Sequence, residues 1–311
     1  MEFREFQERA AETDQNPEPA QSLSRGELVA PTRAEVIPLL GMVGEVGSLL
    51  GEYKKLLRDG ETHRRFKDEV AEELGDILWY VAAVASKFGL SLNQIAEDNL
   101  RKTEDRWKPC ASRAALYDDD QEPRAQLPRS FEYRFEMRSF DGVSKMVLVD
   151  MLDNEQRLLG DPLTDNAYED DGYRYHDVFH LTLAATFGWS PVYRKLLRKC
   201  KHVALANRTP PSKDDAEDGG RAQVLEEAIA LAAYGYAADH ALFENTTAVD
   251  WQLLRHIKRL TDTVEVKDRT TKQWNDVILR AFEVWRDLVR NGGGVVCGDL
   301  HAGTVTFTPR K

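Results

Sequence analysis

The chain has 311 residues, long enough for two domains with cores of their own, and its formal net charge of −11 excludes a general nucleic-acid binder, which needs a basic surface to gather phosphates. Its three cysteines, Cys110, Cys200 and Cys297, are widely spaced with no C-x-x-C pair, which excludes a disulfide framework or a zinc ribbon and fits a reducing cytoplasm. No uninterrupted apolar run approaches the roughly 20 residues that span a bilayer, and the N-terminal MEFREFQERAAE is too charged for a secretory signal, so no membrane partner is expected.

In chain order, Glu2 to Glu12 reads as a short amphipathic helix with Phe3, Phe6 and Ala10 at helical spacing, broken by TDQNPEP. Phe3, Phe6 and Gln7 are candidates to cover a base, and a core role explains the same aromatics. The stretch from Gln21 to Ala34 reads as a loop. GMVGEVGSLLGEYKKLL then places Met42, Val43, Val46, Leu50, Tyr53 and Leu57 on one helical stripe, with Glu45, Ser48 and Glu52 on an adjacent face. After a connector around Arg58 to Glu61, a helix from Lys67 to Phe88 ends at Gly89. It carries Glu69, Glu72, Glu73, Asp76 and Tyr80 on one face, with Val70, Leu74, Ile77, Val81 and Val84 on another. Two such helices pack as an antiparallel hairpin that brings acids from both to one point. Like charges at these spacings cost a few tenths of a kcal/mol each, and a divalent metal offsets them. Oxygen-only donors suit Mg²⁺ or Mn²⁺, while a solvated acidic face explains the same residues without a metal. Ser91 caps a further helix, LNQIAEDNLRKTEDRW.

The pattern E-x-x-S followed by E-x-x-D in EELGDILWY, with NLRKTEDRW behind it, resembles the MazG-like nucleoside triphosphate pyrophosphohydrolases, an all-α superfamily that includes dimeric dUTPases. The resemblance runs from Phe3 to about Trp107. Family members show E-x-x-E on the first helix, whereas this chain has Glu45 and then Ser48, with Glu52 as the candidate substitute. The resemblance implies hydrolysis of a nucleoside triphosphate between the α and β phosphates. Metal ligands would be Glu45, Glu52, Glu73 and Asp76, with Glu72 and Glu73 as catalytic carboxylates and Glu72 the expected proton acceptor. Lys54, Lys55, Lys102 and Arg106 would neutralise the departing pyrophosphate, with Asn99 also near the substrate; Trp79 and Trp107 are candidates for base stacking, or core residues. Family members form dimers or tetramers, so a homodimer is expected. A nucleotide-binding sensor with weakened catalysis is the alternative, since Ser48 stands where a carboxylate is usual.

From Lys108 to Pro128 the sequence turns rich in proline and acid, including Asp118-Asp119-Asp120, and reads as a linker. FEYRFEMRSF and KMVLVDML around Asp141-Gly142 signal a hairpin, with a short third strand near Gln156 to Leu159. Helices follow from Tyr173 to Gly188, from Pro191, from Arg221 to about Phe243, from Val249 to Leu260 and from Thr271 to Arg290, and a hairpin around Asp299 to Gly303 ends the chain. RTPPSKDDAEDGG is polar and turn-rich.

His176 and His180 share a helical face at the spacing helices use to present metal ligands, with Asp177 beside them and Glu226-Glu227 on a later helix. The pair lacks the Glu of H-E-x-x-H, so no metalloprotease is read, and buried histidines bonded to a carboxylate are the favoured explanation. This block is similar to the C-terminal domain attached to some MazG-like proteins. These five residues form a candidate second site. The expected architecture is mainly α: an all-α bundle over 1–108, a linker over 109–130, and a mostly helical α+β domain with small antiparallel hairpins over 131–311.

Overall fold

The computed structural model describes residues 2–16, 18, 32–108, 115–121, 123, 126–140, 144–152, 157–168, 170–197 and 219–310. Residues 21–31 of the expected loop, the turn at Asp141-Gly142, Gln156, Cys110, Cys200 and most of RTPPSKDDAEDGG lie outside them. The chain divides into two units, Met1–Glu104 and Asp105–Lys311.

The first unit is helical: α1 (Phe3–Glu12), α2 (Arg33–Asp59), α3 (Phe66–Lys87) and α4 (Leu92–Trp107), whose last residues pass into the second unit. α2 starts at Arg33, inside the end of the expected loop, because Thr32 and Glu35 form a capping box, each side chain receiving the other's backbone N–H. A 3-10 turn over Gly60–Thr62 folds α3 back onto α2. The two helices come close at Gly41, where an added Cβ would lie 2.2 Å from the Tyr80 ring. α1 docks on α3 and the start of α4 through Phe6, Ala10, Trp79, Ala82 and Leu92.

The apolar stripe of α2 is not consumed by this hairpin. Leu39, Val43, Val46, Leu50, Tyr53 and Leu57, spaced alternately by four and three, are between 42% and 87% exposed. By length and composition the helix over Arg33–Thr62 is also long and apolar enough to cross a membrane, although its apolar run is broken by glycines and by acids such as Glu45 and Glu52.

In the second unit β1 (Ser130–Phe140) and β2 (Ser144–Met151) pair, as do β3 (Gly293–Asp299) and β4 (Thr304–Thr308). The two expected hairpins are one antiparallel sheet, order β2-β1-β3-β4, because β1 also pairs with β3 along Ser130–Glu136. Phe131, Tyr133 and Phe135 alternate inward, and Gly293, at φ 122°, lets the chain pass where a Cβ would meet Phe135 O at 2.3 Å. The strand expected near Leu159 is reduced to single bridges, Asp150 with Leu158 and Val147 with Leu163. Around the sheet lie α5 (Asp177–Phe187), α6 (Pro191–Leu196), α7 (Gly220–Ala238), α8 (Trp251–Leu260) and α9 (Thr271–Asn291), over a core that includes Phe179, Phe187, Trp189, Trp274, Phe282 and Trp285. α7 stops five residues short of Phe243, whose segment forms a separate 3-10 turn over Ala241–Phe243.

The described part of the expected linker is not loose. Leu116 and Leu127 are in the second unit's core, and buried Asp118 accepts from the Leu127 N–H at 2.6 Å and from Arg129 at 2.7 Å. The acidic run reads as part of a linker in sequence; one of its members, Asp118, is an internal anchor.

Candidate functional site

Glu45 on α2 and Glu73 and Asp76 on α3 converge, with one oxygen from each within 4.8 Å of the others. Two carboxylates come from one helix face because Glu73 and Asp76 are three apart, and the hairpin supplies the third. The Glu73 carboxyl is pushed above its ordinary value by burial, and further by Glu45, which also hydrogen-bonds it, then by Asp76 and Glu52. The group is short of positive charge and offers oxygen alone, the donor set of a hard divalent cation.

A second group lies in the other unit. His176, at the N-terminal boundary of α5, and His180 within it meet Glu227 of α7, with one ligand atom from each within 4.8 Å. The His176 Nδ1 lies 3.0 Å from the Tyr173 carbonyl, and the Tyr173 ring stacks on the imidazole at 4.6 Å. The His180 Nδ1 lies 2.8 Å from Glu226, which is wholly buried and also accepts from the Ser190 hydroxyl at 2.6 Å and the Val192 N–H at 2.8 Å. His180 Nε2 faces Glu227 at 3.4 Å, an ion-pair distance without hydrogen-bond geometry. Burial opposes charge on His180, but Glu226 and Glu227 outweigh it and push its pKa up to about 10. Burial likewise raises the Asp177 carboxyl.

Two family models account for nearly all of these elements. The model described as the MazG nucleotide pyrophosphohydrolase domain matches residues 40–111, and that of the MazG C-terminal domain matches residues 112–311. The chain belongs to the MazG family. The gene 37 protein of Mycobacterium phage L5 is 38% identical over 69 residues, which cover 22% of this chain and 60% of that protein, so the chain spans less than two thirds of that relative's length. No solved structure matches the chain.

Of the residues singled out by the MazG resemblance, Glu45, Glu73 and Asp76 are brought together and others are not. Glu52 is removed from the metal set: Lys55 holds one of its oxygens and His63 the other, at 2.9 Å, and both hold its carboxyl below the ordinary value, Lys55 foremost. Lys55 is thereby committed to Glu52, which raises its own pKa. Glu72 is exposed and outside the cluster, a quarter-turn away from Glu73. Gln7 spends its amide on Leu90 O at 2.8 Å and Leu92 N at 2.8 Å, tying α1 to the α3–α4 turn. Trp79, partly buried, packs against the Ala10, Ala82 and Leu92 cluster and donates to Thr13 Oγ1 at 2.8 Å. Arg106 belongs to the second unit, where its guanidinium lies 4.7 Å from the Trp107 ring centre and 4.6 Å from that of Trp251. Lys54, Asn99 and Lys102 are exposed and form no ion pair or hydrogen bond among the described residues. His63, Tyr173 and Ser190 were not legible as partners, since each meets its carboxylate or imidazole through a turn or cap rather than through periodicity.

Proposed function

We propose that the first unit hydrolyses nucleoside triphosphates between the α and β phosphates, releasing a nucleoside monophosphate and pyrophosphate, with Mg²⁺ or Mn²⁺ held by Glu45, Glu73 and Asp76. The convergence of these three carboxylates inside the segment matched as a nucleotide pyrophosphohydrolase domain carries the reading. A divalent cation bound there would lower the pKa of a coordinated water and offset charge on phosphate oxygens. Water adds to the α phosphorus, the bridge to the β phosphate breaks, and the proton goes to a carboxylate. Glu72, next to Glu73 on α3, exposed and not among the three metal carboxylates, is the acceptor open to it. Lys54 and Lys102, without other partners among the described residues, are the cations for the departing pyrophosphate.

The test is pyrophosphate release from a panel of canonical and modified NTPs and dNTPs with each metal, for the wild type beside Glu45→Gln and Asp76→Asn. Turnover lost in both variants supports the reading, and turnover unaffected by either defeats it. Ser48 in a carboxylate position favours one rival, a nucleotide sensor: it predicts thermal stabilisation by nucleotide with Mg²⁺ and no turnover on any substrate.

The exposed stripe of α2 supports a homodimer. Alternating spacings of four and three residues make a seam that a second copy covers. Glu45 and Glu52 on the same helix weigh against a lipid environment. Sedimentation of the wild type and Leu50→Glu measures this; a monomeric wild type that floats with lipid vesicles would assign the stripe to a membrane instead.

A further inference from the structure

We propose that the second unit holds a transition-metal ion of its own, bound by Nε2 of His176, Nε2 of His180 and a carboxylate oxygen of Glu227. This goes beyond the nucleotide chemistry of the first unit and does not depend on it.

The arrangement of the histidines is the first argument. Each imidazole has its Nδ1 against a fixed acceptor, the Tyr173 carbonyl for His176 and the Glu226 carboxylate for His180. With the proton on Nδ1, each ring presents the Nε2 lone pair, and the acceptor on the far side sets both tautomer and orientation. Metal-binding histidines are supported in this way. The Glu226 support is itself built, since Ser190 and the Val192 N–H hold both of its oxygens. Such a buried carboxylate, fully hydrogen-bonded and facing a ring nitrogen, positions the ring instead of binding the ion.

The second argument is what the cluster leaves unsatisfied. His180 Nε2 and Asp177 Oδ2 are buried atoms without a hydrogen-bond partner, in side chains only 1% and 5% exposed. Native interiors rarely leave such groups unpaired, and an ion between His180 and Glu227 satisfies the first. Asp177 Oδ1 lies 3.5 Å from His176 Nε2, beside the proposed ion.

The third argument is donor chemistry. Two imidazoles and one carboxylate suit Zn²⁺, Co²⁺, Mn²⁺ or Fe²⁺ rather than Mg²⁺, so the two units differ in the metal they select. Ligand atoms in such sites stand roughly 3 to 4 Å apart. Glu227 Oε2 already stands 3.4 Å from His180 Nε2, and its side chain, 45% exposed, marks the side from which an ion enters. Three protein ligands leave positions for water or a substrate. The competing occupant is a proton on His180 shared with Glu227.

The test uses the full-length chain, stripped with chelator and titrated with Co²⁺. One equivalent should bind with a visible absorption band typical of nitrogen and oxygen ligands. Zn²⁺ should displace it, and Mg²⁺ in excess should not. The band should persist in a Glu45→Gln/Asp76→Asn chain and be lost in Glu227→Gln and His176→Ala. Glu226→Gln should weaken affinity about 10- to 100-fold while keeping the band's position, as expected of a positioning residue. Nitrogen chemical shifts of the wild-type imidazoles keep the proposal open to refutation should a variant misfold: Zn²⁺ must shift both Nε2 resonances. Imidazole signals unmoved by Zn²⁺, or a Co²⁺ band that survives Glu227→Gln and His176→Ala, would overturn it in favour of the shared proton.

Discussion

Glu73 is the residue at which structure and chemistry meet most directly. Burial and the neighbouring carboxylates make it bind a proton more readily in the folded chain than in the unfolded one. Folded stability in metal-free buffer therefore falls as pH rises from the ordinary value of 4.5 through the raised one. Melting temperature across that window should show a downward contribution in the wild type, absent from Glu73→Gln and suppressed by saturating Mg²⁺. Identical profiles for wild type and variant would mean that the carboxylates do not crowd in solution. Gln7 makes the opposite case. Its hydrogen bonds hold α1 against the α3–α4 turn, so Gln7→Ala should cost about 1 kcal/mol in denaturant unfolding and leave KM for any nucleotide unchanged.

Among the elements, α2 and α3 are fixed by one close contact. A methyl group at Gly41 would run into the Tyr80 ring, an overpacking cost of about 1–3 kcal/mol that exceeds the gain of up to about 1 kcal/mol from replacing a helical glycine. At Gly75, where a Cβ would meet nothing within 4 Å, the helix gain stands alone. Gly41→Ala should thus unfold at lower urea than wild type and Gly75→Ala at higher. The same elements show what a sequence discloses. α9 was legible because a capping box and a glycine end frame an amphipathic pattern, the end of α5 because Gly188 stops it, and Glu45, Glu73 and Asp76 because helical spacing places them on faces of a hairpin. The fate of Glu52 was not, since the 3-10 turn over Gly60–Thr62 decides that His63 reaches it. The merging of two hairpins was hidden too: β1 and β3 are separated by most of the second unit, and nothing local records their register.

At the scale of the whole molecule the two units have unlike interiors. The first buries little beyond Ala10, Ala82 and Leu92 in its described cluster, whereas the second encloses the large core around α5 and α9. Calorimetry should resolve two transitions, the lower one belonging to the first unit. It should rise with protein concentration if a second copy covers α2, and with nucleotide plus Mg²⁺, while Zn²⁺ should move the upper one alone. A single transition shifted equally by both metals would mean that the units unfold as one.

Glu45 rides on the helix whose other side is the uncovered seam. If two chains must meet for that helix to be held in place, output per chain would grow with abundance and fade on dilution. Cellular dosage would then act as a regulator with no effector molecule, and a stripe substitution far from any carboxylate would look, in a dilute assay, like an active-site defect that more protein cures.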